Sequence, residues 1–380
     1  MYINRQIESL LKNSLESAKI IVLYGARQVG KTTLLNNLYP ESTVGNITML
    51  ACDQQRIQDQ LIPDALALQR LFGKSGLVIF DEMQTLTNPG LILKIIYDHL
   101  PHIRVIATGS ASFDLANKIS EPLTGRHLQF QLHPFSFSEI AQSIAPIDLP
   151  ATMNDCLLYG TYPKIYNLIT AEEKTKELSA LADNYLYKDI LTFDLIKNSH
   201  KVRELLIAVA LQLGQEVSYH ELGQRVKLNY KTIERYLDLL EKSFVLFRLR
   251  GFSRNLRNEI SRKVKIYFYD CGIRNALINN FNTLVMRSDS GALFENYIIS
   301  EMIKKNSLSA SRANFYFWRT HTDGEIDLIQ ESGGHIKAFE FKLTKPARYT
   351  PPSAFTKAYP AATWQIVSLN DFETIRQLLI

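Results

Sequence analysis

The 380-residue chain carries 43 Lys and Arg against 38 Asp and Glu, a formal net charge of +5, and is 46% hydrophobic. That length and apolar content suggest two or three domains with cores of their own and exclude a disordered or fibrous chain. No apolar run approaches the roughly 20 residues that span a bilayer, so no membrane association is expected, and the mild excess of positive charge permits an anionic partner such as DNA without requiring one.

Met1 to Lys19 mixes charges into an amphipathic helical pattern without a signal-peptide layout, so a cytoplasmic protein is expected. Cys52, Cys156 and Cys271 are far apart and odd in number, which suits small buried residues rather than a zinc site or a disulfide framework. Ile20-Ile21-Val22-Leu23 reads as a buried parallel strand, and a helical segment runs from Lys31 to Leu38. Between them, Gly25-Ala26-Arg27-Gln28-Val29-Gly30-Lys31-Thr32-Thr33 fits G-x-x-x-x-G-K-[ST] in the strand-to-helix context that such a loop needs. Glycines let backbone N–H groups close around an anion, and the new helix points its positive end at the same place. These nine residues are therefore expected to hold ATP, with Lys31 at the β- and γ-phosphates and Thr32 on Mg²⁺.

Asn46–Leu50 is the next candidate strand and Pro63–Phe72 a helical stretch. Leu77-Val78-Ile79-Phe80 then runs into Asp81-Glu82, a buried strand delivering two acids to its C-terminal edge, where open α/β sheets bind ligands. Asp81 is placed to hold Mg²⁺ and Glu82 to orient or activate the attacking water; a helix-capping acid pair is the alternative. Ile103–Ala107 ends in Thr108-Gly109-Ser110-Ala111-Ser112, so Ser110 or Thr108 is a candidate sensor of the γ-phosphate, with plain turn residues an equal account. Arg126 is a candidate arginine finger, in cis or from a neighbouring subunit of a homo-oligomer, or else a surface arginine. His127–Leu132 alternates like one more strand, and strands alternating with helices imply a mostly parallel sheet.

Ala151 to Asn198 reads as mostly helical, broken at Gly160-Thr161-Tyr162-Pro163. From Val202 come three helical segments: Val202–Leu213, Tyr219–Val226 capped by Ser218, and Lys231–Lys242. Two strands follow, Phe244–Leu249 and Lys265–Tyr269, the order of a winged helix-turn-helix. Lys231, Thr232 and Arg235 would open a recognition helix, and Arg254, Arg257, Arg262, Lys263 and Lys265 would crowd the wing and meet DNA phosphates. A protein-docking module with solvated charges is the alternative.

Glu295 lies near the start of an apolar helical segment. Phe315–Arg319 reads as a strand, with Arg319 and His321 near its end. Glu325–Ile329 and Ala338–Leu343 flank Gly333-Gly334, a hairpin signal. With the glycines as a two-residue turn, Asp327 falls opposite Glu340 and Glu325 opposite Lys342. Strict alternation then puts these four on one face and Ile326, Leu328, Phe339, Phe341 and Leu343 on the core face. Opposed carboxylates repel unless a cation such as Mg²⁺ or Mn²⁺ joins them, with Glu295 completing its shell and Lys342 orienting water; a solvated face with Lys342 paired to Glu325 or Glu340 is the other account.

In one order, the phosphate loop, Phe80-Asp81-Glu82-Met83-Gln84, Thr108-Gly109-Ser110, Gly125-Arg126 and His133-Pro134-Phe135 resemble a widespread family of bacterial and archaeal AAA-type ATPases with a C-terminal domain of unknown function. That domain is similar to PD-(D/E)XK nucleases, whose core maps onto Glu295, Asp327, Glu340 and Lys342, with Ile326 where proline is common. The resemblance spans nearly the whole chain. It implies an α/β fold: an AAA-like P-loop domain over 1–145, a helical lid or linker over 146–198, a winged helix over 199–280 and a nuclease-like domain over 281–380. It implies an ATPase acting on DNA, with Glu340 and Lys342 as nuclease residues, or an ATP-controlled oligomerisation or partner-binding switch whose nuclease-like domain is inactive.

Overall fold

The computed structural model describes residues 2–40, 46–110, 123, 125–191, 199–252, 263–320 and 324–380. They form two compact units, residues 2–134 with 242–244, and residues 135–241 with 245–380.

The first unit contains α1 (Ile7–Ser17), β1 (Ile20–Tyr24), α2 (Lys31–Leu38), β2 (Ile47–Ala51), α3 (Gln55–Gln60), α4 (Ala65–Phe72), β3 (Leu77–Asp81), α5 (Pro89–His99), β4 (Arg104–Gly109) and β5 (Leu128–Gln131). The strands are ordered β2-β3-β4-β1-β5 and all run parallel. Every residue of β1 and β3 is buried, which is why each reads as an unbroken apolar run. Ile20, Val22, Val78, Phe80, Val105 and Ala107 join Leu68 and Phe72 of α4 and Ile92, Leu93 and Ile96 of α5 in one core. Because the strands are parallel, the C-terminal ends of β1, β3 and β4 share one edge of the sheet, and the residues after them collect there.

The second unit contains α6 (Phe137–Ala141), α7 (Leu149–Tyr159), α8 (Pro163–Tyr166), α9 (Ala171–Leu191), α10 (Ser199–Leu211), β6 (Glu216–Ser218), α11 (Tyr219–Val226), α12 (Tyr230–Lys242), β7 (Leu246–Gly251), β8 (Lys263–Phe268), α13 (Cys271–Leu277), α14 (Ser290–Ser307), β9 (Asn314–Arg319), β10 (Glu325–Ser332), β11 (His335–Lys342), α15 (Ser353–Ala358), β12 (Thr363–Ser368) and α16 (Phe372–Leu379). Ser218 caps α11 by accepting a hydrogen bond from the Glu221 N–H. A single sheet, ordered β12-β11-β10-β9-β7-β8-β6, joins the hairpin after α12 to the carboxylate strands through parallel pairing of β7 with β9. Residues expected in two domains, 199–280 and 281–380, therefore share one hydrogen-bonded ladder.

The β10–β11 hairpin pairs Leu328 with Phe339 and Ser332 with His335 around Gly333 and Gly334, whose φ angles of +57° and +83° are the positive values of a tight two-residue turn. The strict alternation expected of β10 does not hold. A bulge against β9 lies between Ile326 and Ile329, so both pack with Trp318, Ile336 and Phe355 in one cluster. Leu343, expected in the core, is 37% exposed, because β11 ends at Lys342.

A buried charge network docks α13. Arg274 donates to Ala210 O at 2.9 and 2.7 Å and also to Asp289; Arg287 Nε donates to Asp289 Oδ1 at 2.8 Å. Burial would raise the Asp289 carboxyl, but the two guanidiniums outweigh it and hold it at about 2, below the ordinary 3.8. A depressed acid contributes stability above its unfolded value and loses it as pH falls through the folded one. Asp289→Asn strands two buried guanidiniums and should cost about 3 kcal/mol in denaturant unfolding at neutral pH; the gap from the parent should shrink as pH falls from 3.8 toward 2.

Candidate functional site

In the first unit the loop after β1 is built for close backbone approach. A Cβ on Gly25 would stand 2.4 Å from Leu132 O, and Gln28 and Gly30 take φ of +61° and +94°. Gly25, Ala26 and Val29 are buried, Arg27 and Gly30 half-buried, and Gln28, Thr32 and Thr33 exposed. Lys31, 5% exposed, donates to Gly25 O at 2.9 Å and Ala26 O at 3.0 Å, so its ammonium lies across the loop. Arg5 braces the outside, donating to Val29 O at 3.1 Å and His133 O at 2.7 Å. Nothing in the local pattern around Arg5 marked it, since its partners lie up to 128 residues away.

A continuous set of hydrogen bonds runs along the sheet edge. Thr32 Oγ1 donates to Asp81 Oδ2 at 2.7 Å, and Thr108 Oγ1 donates to Asp81 Oδ1. The Glu82 N–H donates to Thr108 Oγ1 at 3.0 Å. Gln84 Nε2 donates both to Glu82 Oε2 and, at 3.1 Å, to Ser110 Oγ. Glu82 takes φ +55° and ψ +43°, a left-handed conformation that costs a non-glycine residue about 1 kcal/mol or more and clusters at functional sites. Asp81, Glu82, Thr108 and Ser110 are thus brought together with Thr32. Gln84 is the member that went unassigned, although it closes the Phe80-Asp81-Glu82-Met83-Gln84 stretch that carries the resemblance.

Arg126 is placed elsewhere. It precedes β5, whose start pairs with Ile21 of β1, so it lies at the edge of the sheet opposite the loop. There it donates to Asp98 Oδ1 at 3.1 Å and sits over the Tyr97 ring at 5.3 Å. The parallel direction of β5 sets Arg126 away from the loop, against a finger in cis, and its pairing with Asp98 suits the alternative of a surface arginine; Ala111 and Ser112 lie outside the described residues.

In the second unit the acids gather around a lysine. Lys265, expected on the wing surface, has its side chain 2% exposed: Nζ lies 2.6 Å from Glu325 Oε1, 3.5 Å from Glu295 Oε1 and 4.0 Å from Asp327 Oδ1. The correction follows from burial. β8 is covered on both faces, Val264, Lys265, Ile266, Tyr267 and Phe268 all being buried in succession, so neither set of its alternating side chains reaches solvent. Tyr267 donates to Glu295, and the Phe341 N–H donates to Asp327 Oδ2 at 2.8 Å. Glu340 instead pairs with Lys342 at 2.7 Å. Burial, then the charges of Glu295 and Glu340, push the Asp327 carboxyl well up; burial also raises Glu295. Burial would lower the Lys265 ammonium, but Glu295, Asp327 and Glu325 outweigh it and raise it. Among the described residues no three His, Cys, Asp or Glu side chains are grouped to hold a metal ion, in contrast to the expected cation on Glu295, Asp327 and Glu340. Arg254, Arg257, Arg262 and His321 lie outside the described residues, and the Lys263 side chain is not described.

Residues 17–141 match the AAA domain family, residues 151–284 a domain of unknown function (DUF8612) and residues 290–374 another (DUF4143). The chain is similar to the Walker-type ATPase PABY2304 of Pyrococcus abyssi, at 18% identity and a TM-score of 0.52, over 73% of this chain and 96% of that one. The N-terminal unit has the fold of a P-loop ATPase. Two sequence relatives are similar over most of their length: the uncharacterized protein Rv2008c of Mycobacterium tuberculosis, 27% identical over 90% of this chain and 74% of its own, and the uncharacterized protein MJ1637 of Methanocaldococcus jannaschii, 25% identical over 78% and 70%. No described helix is long and apolar enough to cross a membrane.

On this P-loop fold Gln84 ties the Glu82 carboxylate to Ser110. Gln84→Ala should lower ATP turnover by about 10-fold or more with nucleotide affinity unchanged. Added to Glu82→Gln it should change nothing further if the hydrogen bond to that carboxylate is what it contributes. Steady-state kinetics on the four proteins of this cycle checks both.

Proposed function

We propose that the protein is an Mg²⁺-dependent ATP hydrolase whose C-terminal unit engages DNA. The observation that carries the first part is the hydrogen-bonded edge from Thr32 through Asp81, Thr108 and Glu82 to Gln84 and Ser110. The residues present fit the nucleotide. Gly25 admits the backbone closely, and left-handed Gly30 turns the chain into α2, whose first N–H groups face the loop. The Lys31 ammonium offsets phosphate charge, and Thr32 and Asp81 would hold Mg²⁺, which when bound draws charge from the phosphate oxygens. Glu82 orients and deprotonates the attacking water, and Ser110 or Thr108 contacts the γ-phosphate. Arg126, on the far edge, is either a finger toward a second copy in a homo-oligomer or a surface arginine held by Asp98.

The DNA reading rests on the arrangement of α10, α11 and α12 followed by the β7–β8 hairpin, the order of a winged helix, with β6 pairing antiparallel to β8. Lys231 and Arg235 are exposed near the start of α12, Arg235 with its guanidinium 5.6 Å from the Tyr236 ring centre, and Thr232 donates its N–H and hydroxyl to Asn229 Oδ1. For the nuclease-like part the pairing of Lys265 with the acids favours the second reading, an ATP-controlled module that holds its partner without cutting.

Lys31→Ala should abolish ATP turnover, and Glu82→Gln should retain ATP while hydrolysing it about 10²–10⁴-fold more slowly, as expected for a lost general base. A phosphate-release assay with a fluorescent-nucleotide titration measures both; equal turnover in Glu82→Gln would remove that residue from its role. Lys231→Ala with Arg235→Ala should weaken binding to any duplex and reduce the slope of log K against log salt by about 2, read by anisotropy over a salt series.

A further inference from the structure

We propose that Lys265 is the resident cation of the C-terminal carboxylate cluster, standing where a divalent metal would bind, so that Glu295, Asp327 and Glu325 brace the sheet and take no Mg²⁺ or Mn²⁺. The inference goes beyond the ATPase reading and holds whether or not that reading does.

The cluster brings negative charge together in a place nearly closed to water. The side chains of Glu295 and Asp327 are 13% and 11% exposed, and as carboxylates they can be held there when a cation neutralises them. In a metal enzyme that cation is the metal. Here the ammonium of Lys265 reaches Glu325 at 2.6 Å and Glu295 at 3.5 Å, with Asp327 at 4.0 Å. The oxygens are also turned toward protein donors: Glu295 accepts from the Tyr267 hydroxyl, and Asp327 Oδ2 from the Phe341 N–H at 2.8 Å. Glu340 Oε1 is taken by Lys342. Glu340 Oε2 is buried without a hydrogen-bond partner, but one oxygen does not make a metal shell.

Lys265 has little freedom to leave. Its ammonium sits 5.8 Å from the Phe317 ring centre, and its backbone is held in β8 by Leu249 of β7 on one side and Glu216 of β6 on the other. Asn296, next to Glu295 on α14, brackets Phe268 at the end of the same strand, accepting from its N–H at 2.7 Å and donating to its carbonyl at 3.1 Å. Helix and strand are therefore locked in the register that presents Glu295 to Lys265. A divalent ion entering among these carboxylates would meet a fixed positive charge within a few ångströms and is repelled.

The test is Mn²⁺ binding to the full chain without nucleotide, followed by the loss of the free-ion paramagnetic resonance signal. The parent and Asp327→Asn should bind the same number of Mn²⁺ ions. Lys265→Met, which keeps the stem and removes the charge, should gain one site that Lys265→Met with Asp327→Asn loses. A parent Mn²⁺ site removed by Asp327→Asn or Glu340→Gln would overturn the proposal, as would divalent-dependent nicking of plasmid by the parent that Glu340→Gln abolishes. A folded Lys265→Met that gains no site would also overturn the placement of the lysine at the metal position. Should Lys265→Met fail to fold, the comparison of the parent with Asp327→Asn decides alone.

Discussion

Parallel strand direction is the constraint on which the nucleotide site depends. Five strands that all point one way deliver their successors to one edge, so the loop after β1, the acids after β3 and the hydroxyls after β4 meet there although they lie more than 20 residues apart. Hydrogen bonds then convert proximity into a fixed arrangement: Asp81 is held between Thr32 and Thr108, and the backbone of Glu82 is fastened to the same Thr108. The left-handed turn at Glu82 follows from these ties, since the strand must end at Asp81 while the next residue still faces the edge.

Much of this was legible in the sequence because it is written locally. The loop between a buried strand and a helix, the apolar run ending in two acids and the glycine pair between alternating strands are each encoded within about ten residues. The hairpin register follows from two glycines that tolerate positive φ, whatever surrounds them. Ser218 as a cap is likewise local, because its partner is three residues away.

What escaped depends on partners distant in the chain. Arg126 reads the same whichever way the next strand runs; only the pairing of β5 with β1 shows that it lies on the wrong edge for its own loop. Lys265 looked like a solvated wing residue because the helix that covers it, carrying Glu295, lies 30 residues further along the chain. Arg5 belongs to the loop through Val29, 24 residues on. The bulge in β10 arises against β9 and shifts Ile326 onto the face of Ile329, which alternation within β10 cannot foresee.

The ladder joining β7 to β9 makes the interval between residues 284 and 290, where two sequence families meet, a boundary of ancestry rather than of cohesion. A chain severed there would strip β7 of its neighbour on one fragment and bare the acids of Glu295 and Asp327 on the other, with their ammonium left behind. Neither fragment would inherit a finished interior. The two segments should melt together as one cooperative block, and their slowest-exchanging amides should share a single opening energy.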